Sequence, residues 1–101
     1  MYPLALKAVR VAGHSMAPEL NDKDYVLIVR GPRSRYLVGQ VVMVRHPELG
    51  TIIKRILEVK GRRYRLAGDN PASMPSYKMG WIHHSQIAGR VLTRIKRSQV
   101  H

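Results

Sequence analysis

The sequence predicts an all-β domain: a small coiled antiparallel sheet, barrel-like, with one or two short helices. Three observations predict it. Apolar residues fall in short runs enriched in β-branched side chains, not at helical spacing. Gly, Pro, Asn and Asp punctuate these runs along the chain. The chain has 101 residues, 45% of them apolar, which suits one domain with one modest core. Residues 1–101 are therefore read as a single domain, with a basic, frayed tail from about 96 to 101.

Each element follows from local chemistry. A first strand is predicted over residues 4–12, ahead of Gly13. Asp24-Tyr25-Val26-Leu27-Ile28-Val29 is a second, bounded by Asn21-Asp22 and Gly31-Pro32. Val41-Val42-Met43-Val44 is a third, ended by His46-Pro47. Residues 51–59 form a fourth, opened by Gly50. Gly61 turns that strand into residues 63–67 as a hairpin. Residues 69–78 are rich in Pro, Ser and Asn and read as a loop. Residues 88–95 make the last strand. Short helical pieces are predicted at 16–20 and 84–87.

The composition constrains partners and compartment. Eighteen Lys and Arg face six Asp and Glu, a net charge of +12. Such a surface suits an anionic membrane or an acidic propeptide, or it serves solubility alone. Arg33, Arg35, Arg62, Arg63 and Arg65 are the expected acid-binding residues, on the expectation that they sit in turns rather than core strands. Nucleic acid is not the expected partner, since no nucleic-acid motif accompanies the charge. Cysteine is absent, which excludes disulfides and Cys-based zinc sites. No apolar run reaches the roughly 18–20 residues of a membrane span. The first seven residues are too short and interrupted for a secretory signal. The expectation is a cytoplasmic protein, with peripheral membrane contact left open.

Two segments carry candidate chemistry. Gly13-His14-Ser15-Met16-Ala17-Pro18-Glu19-Leu20 sets one serine in a tight Gly–Met–Pro context. Gly13 permits close approach of a substrate main chain. A helix starting after Ser15 would offer free amides to an oxyanion; equally, Ser15 could be only a helix N-cap. In Thr51-Ile52-Ile53-Lys54-Arg55-Ile56 a lysine stands among isoleucines. A serine needs a base to become a nucleophile, and a lysine serves when apolar surroundings destabilise its ammonium. Strand alternation puts Lys54 with Ile52 and Ile56, and Arg55 with Ile53 and Leu57. Periodicity does not say which cation points inward, and a charged edge strand gives the same pattern. A third segment, Gly68-Asp69-Asn70-Pro71-Ala72-Ser73, has strong turn chemistry.

In this order the three segments resemble the signal peptidase I family of serine–lysine proteases. Gly13–Leu20 matches its nucleophile box, and Asp24-Tyr25-Val26-Leu27 the strand after it. Gly39-Gln40-Val41-Val42 resembles its Gly-Asp-Val-Val, and Ile53-Lys54-Arg55-Ile56 its lysine box. Gly68-Asp69-Asn70-Pro71 matches its Gly-Asp-Asn box, and Gly89-Arg90-Val91 its last strand. The resemblance implies an endopeptidase with Ser15 as nucleophile, Lys54 as general base and Ser73 as a lysine-orienting hydroxyl. It also implies a small apolar pocket from Val11, Met16, Leu20 and Ile53, favouring alanine-like residues before the cut. By the same resemblance, the strand edges Arg10–Gly13 and Thr51–Ile53 would pair with an extended polypeptide substrate. No cofactor and no metal is implied.

The chain departs from the family pattern in places. Members often continue with Ser-x-Asp-Ser-Arg after Gly-Asp-Asn; here the stretch is Ser73-Met74-Pro75-Ser76-Tyr77, without that acid and base. Gly13 stands where many members place a serine as oxyanion donor, so backbone amides would carry that role. The N-terminal anchor and a large insertion are missing, which reads as a minimal catalytic core. Arg45-His46-Pro47 with Gly-Asp-Asn-Pro resembles the nickel superoxide dismutase maturation protease subgroup. Two alternatives stay open: a LexA-like self-cleaving peptidase domain, and a non-catalytic basic β-domain binding nucleic acid or anionic lipid. A serine–histidine pair is less favoured. His14 is adjacent to Ser15, where side chains diverge, and no histidine spacing suits a metal.

Overall fold

A computed structural model describes residues 5–30, 35–72 and 79–95. These residues form seven strands: β1 (Ala5–Arg10), β2 (Tyr25–Arg30), β3 (Val41–His46), β4 (Gly50–Lys60), β5 (Arg63–Ala67), β6 (Trp81–His83) and β7 (Ile87–Ile95). They make one sheet in the order β1-β2-β7-β3-β4-β5-β6, every neighbouring pair antiparallel. The fold is all-β, as the short β-branched runs and their turn signals predict. The last long strand, β7, lies between β2 and β3 and joins the two halves of the sheet.

Local chemistry sets the boundaries. The β4–β5 hairpin has a two-residue turn, with Lys60 opposite Arg63 and Gly61 at φ +60°. A two-residue hairpin needs a residue tolerant of positive φ at that point. The β3–β4 turn is held by His46, whose Nδ1 accepts from the N–H groups of Glu48 and Leu49 at 3.1 Å each. A 3-10 turn at His84–Gln86 links β6 to β7, close to the helical piece expected at 84–87.

One expectation is corrected. Residues 16–20 form turns rather than a helix. One i to i+4 bond, from Leu20 N–H to Met16 C=O, spans 2.9 Å. Pro18 offers no N–H, and a residue before proline is steered out of helical geometry. Ser15 is therefore not the cap of a helix.

The sheet buries apolar side chains in two clusters. Tyr36, Val42, Val44, Ile56, Tyr64, Leu66, Met79, Ile82 and Ile87 form one, with Ile52 and Val59 packed against it. Val11, Met16, Leu20, Val26, Ile28 and Met43 form the other, with Ile53 packed against it. A register shift between Ile56 and Glu58 lets Ile52, Ile56 and Val59 reach the same cluster despite their mixed parity. The second cluster seats the turn that carries Ser15.

Candidate functional site

The Ser15 turn is fixed from both sides. Pairing of β1 with β2 continues one step, with Val11 N–H donating to Asp24 C=O at 2.7 Å and Lys23 N–H to Val11 C=O at 2.8 Å. The chain then bends at Gly13, whose φ is +88° and whose N–H donates to Asp22 Oδ1 at 2.9 Å. Met16 and Leu20 bury their side chains in the second cluster. Ser15, between them and the bend, is half-buried. Among the described residues the N–H groups of Ser15 and Met16 have no acceptor, so two adjacent donors stand beside the hydroxyl.

Ser15 lines a cavity of about 240 Å³ together with Val9, Arg10, Ala12, Thr51, Ile52 and Ile53. Consecutive strand residues point to alternate faces. A cavity that touches Thr51, Ile52 and Ile53 together therefore lies along the edge of β4, not over one face. That edge is free: β5 pairs with β4 only from Arg55 onward, and no other described strand takes its place. The outer edge of β1 is also unpaired among the described residues.

Lys54 is the next residue along β4. It is 6% exposed and is the buried charged residue of the described core. It follows the parity of Ile52 and Ile56 and lies opposite Val42. Among the described residues no carboxylate pairs with it. Burial pushes its ammonium pKa below the ordinary lysine value. Its neighbour has the opposite environment. Arg55 donates from Nε and Nη2 to Asp69 at 2.8 and 2.7 Å, and from Nη1 to Gly39 C=O at 2.7 Å. These bonds to the Asp69 carboxylate hold the guanidinium more firmly charged, and they hold the Asp69 carboxyl below its ordinary pKa. Alternation left open which cation turns inward; the structure assigns burial to Lys54.

Asn70 carries a role the sequence did not reveal. Its N–H donates to Ser15 C=O at 2.8 Å, and its Nδ2 to His14 C=O at 2.9 Å. Its Oδ1 accepts from Ala72 N–H at 3.0 Å. Asp69 grips β4 beside Lys54 while Asn70 grips the Ser15 turn. The Gly68-Asp69-Asn70 segment thus links the strand that carries Lys54 to the turn that carries Ser15. The signal lay in the Gly-Asp-Asn box, but contacts to main-chain carbonyls more than 50 positions away leave no local pattern.

The other sequence-predicted site residues are placed as follows. Ile53 lines the Ser15 cavity. Val11, Met16 and Leu20 are core residues, and Leu20 also reaches a separate groove with Pro18, Arg55 and Arg90. Gly13 is exposed at its bend. Ser73 lies outside the described residues, as does the 73–77 stretch that departs from the family pattern. His46 and His84 serve packing: His46 Nε2 meets Met79 C=O at 3.3 Å, and His84 Nδ1 meets the Tyr64 hydroxyl at 3.2 Å. No helix among the described residues is long and apolar enough to cross a membrane.

A search of curated proteins finds no match. A family model described as Peptidase S24-like matches residues 2–92, which covers the Ser15 turn, the Lys54 strand and the Asn70 segment. The chain belongs to this Peptidase S24-like, signal peptidase I-like family, whose domains are of serine peptidase or LexA-like protease type.

Proposed function

We propose that the protein is a serine endopeptidase that cuts an extended polypeptide with a Ser15/Lys54 dyad. The observation that carries this reading is a buried lysine without a carboxylate partner among the described residues, directly after the stretch of β4 that walls the Ser15 cavity. A paired, solvated lysine would stay charged and could not act as a base. In the mechanism, neutral Lys54 takes the Ser15 proton as Oγ attacks the carbonyl carbon. The N–H groups of Ser15 and Met16, without an acceptor among the described residues, are suited to hold the oxyanion. The C–N bond then breaks, Lys54 returns the proton to the leaving amine, and an acyl-enzyme remains. Water, activated by Lys54, releases it.

The substrate would bind as a strand. The edges of β1 and of residues 51–53, unpaired among the described residues, flank the cavity, so an extended chain has main-chain partners on both sides. The small cavity favours a small residue before the cut, and Ile53 is the apolar wall residue named for that pocket. Ser73 is the proposed orienting hydroxyl for Lys54. Removal of a propeptide or leader, as in the nickel superoxide dismutase maturation subgroup, is the proposed biological task.

Peptide-library cleavage tests this reading. Wild type should cut after small residues, and Ser15→Ala should lose activity to background. Lys54→Arg keeps the charge but not a removable proton at working pH, so it too should be inactive. Near-normal turnover by Lys54→Arg would rule out the base role. A LexA-like reading would instead show as a loss of mass from the chain itself on incubation at high pH.

A further inference from the structure

The outward face of β4, β5 and β6 carries a second ordered set of side chains, far from Ser15. Cross-strand register puts Glu58, Arg65 and Trp81 in one row, and Lys60, Arg63 and His83 in the next. Between the rows Tyr64 and Ile82 turn inward to the core. Strands lie about 4.8 Å apart, so each row spans three strands within about 10 Å. Arg62 adds a fourth Lys/Arg cation from the hairpin turn. Four such cations thus stand against one carboxylate, Glu58.

The details of this face point to a ligand. Trp81 is 39% exposed, a large apolar surface left in water. Lys60 Nζ and Arg63 Cζ sit 5.5 and 6.0 Å from its ring centroid, which arrays both cations around it. Glu58 Oε1 meets Arg65 Nε at 3.0 Å and Glu58 Oε2 meets Lys60 Nζ at 3.9 Å. The face therefore already receives one carboxylate. Among the described residues Arg62 and Arg63 have none.

We propose that this face is an exosite for an acidic, apolar-containing stretch of the polypeptide substrate. The proposal rests on the endopeptidase reading above. Charge complementarity selects the acid, and Trp81 supplies the contact for an apolar side chain between acidic ones. The position selects a polypeptide over other polyanions. β4 walls the Ser15 cavity at residues 51–53 and ends in this face at Lys60. At about 3.3 Å per residue the two lie about 25–30 Å apart. An extended substrate covers that span in about eight to ten residues.

Trp81 is the one tryptophan of the chain, so its emission reports on this face alone. The test uses the full chain carrying Ser15→Ala and two tryptophan-free peptides with one shared small-residue cleavage segment. One peptide bears an Asp/Glu block about eight to ten residues from that segment, the other an Asn/Gln block. The acidic peptide should change Trp81 emission saturably, at least about fivefold more tightly than the neutral one, and less so at high salt. Arg62→Gln with Arg63→Gln should remove that advantage. Glu58→Gln frees Arg65 and Lys60 and should tighten the acidic peptide, the opposite of what general damage to the sheet would do. With active Ser15, the same advantage should appear in KM rather than kcat. If active enzyme cuts both peptides equally well, the exosite is overturned while the endopeptidase reading stands. If a single-stranded oligonucleotide gives the saturable response and the acidic peptide does not, the exosite is likewise overturned. If the acidic peptide binds as described but neither peptide is cut, the acidic-peptide site is upheld and the endopeptidase reading fails.

Discussion

Residues 50–54 of β4 pair with β3 and leave their other edge to the Ser15 cavity; residues 55–60 pair with β5. The first half ends in Lys54, buried and without a carboxylate among the described residues. The second half holds Arg55 against Asp69, and Lys60 and Arg65 against Glu58. Each half holds isoleucine and at least one cation, but only the second holds an acid, Glu58. Their electrostatics differ because acids reach only one of them. A cation with a partner acts as scaffold; a buried cation without one loses its preference for the charged form and becomes available for proton transfer.

The largest expected effect breaks that difference at Lys54. Lys54→Met should lower cleavage by about 10³-fold, within the usual range for losing a positioned base. It should also raise stability by roughly 1 kcal/mol, about 4–8 °C in Tm for a domain of this size, because a buried charge is removed. The pH dependence follows from the lowered pKa of Lys54. Below its folded pKa the lysine is charged in both states. Between the folded and unfolded values the unfolded chain binds the extra proton, so stability rises with pH through that window. Activity should rise over its lower part, as the neutral amine appears. A flat pH–rate profile together with a Lys54→Met variant of lowered Tm would place Lys54 in the scaffold class with Arg55.

Packing separates the halves next. Ile56 is fully buried between β3 and β5, whereas Ile53 is half-buried at the cavity wall. Ile56→Ala should lose about 2–5 kcal/mol, the range for a buried aliphatic truncated to alanine. Ile53→Ala should lose less stability, yet change the preferred residue before the cut towards larger side chains. Urea unfolding and the peptide library measure the two effects. Equal stability losses with unchanged specificity would remove the distinction between wall and core.

How far the sequence disclosed this arrangement depends on the range of each interaction. Strands showed through their turn signals, and Gly61 marked its hairpin. β6 did not show: Trp81–His83 is three residues long and carries no period to detect. Residues 16–20 read as a short helical piece, yet they form turns, with Pro18 offering no N–H. The lysine box exposed Lys54 as a candidate, but its burial depended on strand pairing that alternation leaves ambiguous. Asp69 and Asn70 showed as turn formers and as part of the Gly-Asp-Asn box, but their partners did not, since those are set by tertiary contact.

The Arg55–Asp69 pair gives a smaller effect with a definite pH sign. Asp69→Asn should cost about 1–3 kcal/mol, the range for hydrogen bonds to charged groups, reduced where solvent reaches the pair. Asp69 has a lowered folded pKa, so its contribution is present above the ordinary carboxylate value and is lost as pH falls through the folded one. The wild-type advantage over Asp69→Asn should therefore vanish in acid. Because Asp69 also fixes the segment that holds the Ser15 turn, kcat should fall in this variant at neutral pH. Asn70→Ala should lower kcat similarly with a smaller loss of Tm, since it removes the tie to Ser15 and His14 but leaves the ion pair.

Glu58 gives the smallest stability effect and sharpens the comparison most finely. Its side chain and those of Lys60 and Arg65 are all more than a third exposed. Exposed pairs contribute roughly 0–1 kcal/mol, and salt screens them. Glu58→Gln should thus leave Tm within about 8 °C at low salt and nearer still at high salt. The same substitution raises the net positive charge beside Trp81, where Lys60 and Arg63 already crowd the ring. Repulsion among these cations adds a small penalty, in the same direction as the lost pairs. If Glu58→Gln instead unfolds the domain like Ile56→Ala, then acids in this half of β4 hold the fold together. The contrast with Lys54 would then be one of structural necessity on one side and chemistry on the other. If Tm barely moves, as expected, the acid serves to moderate a basic face, and the scaffold of this half rests on Tyr64, Leu66 and Ile82 beneath it.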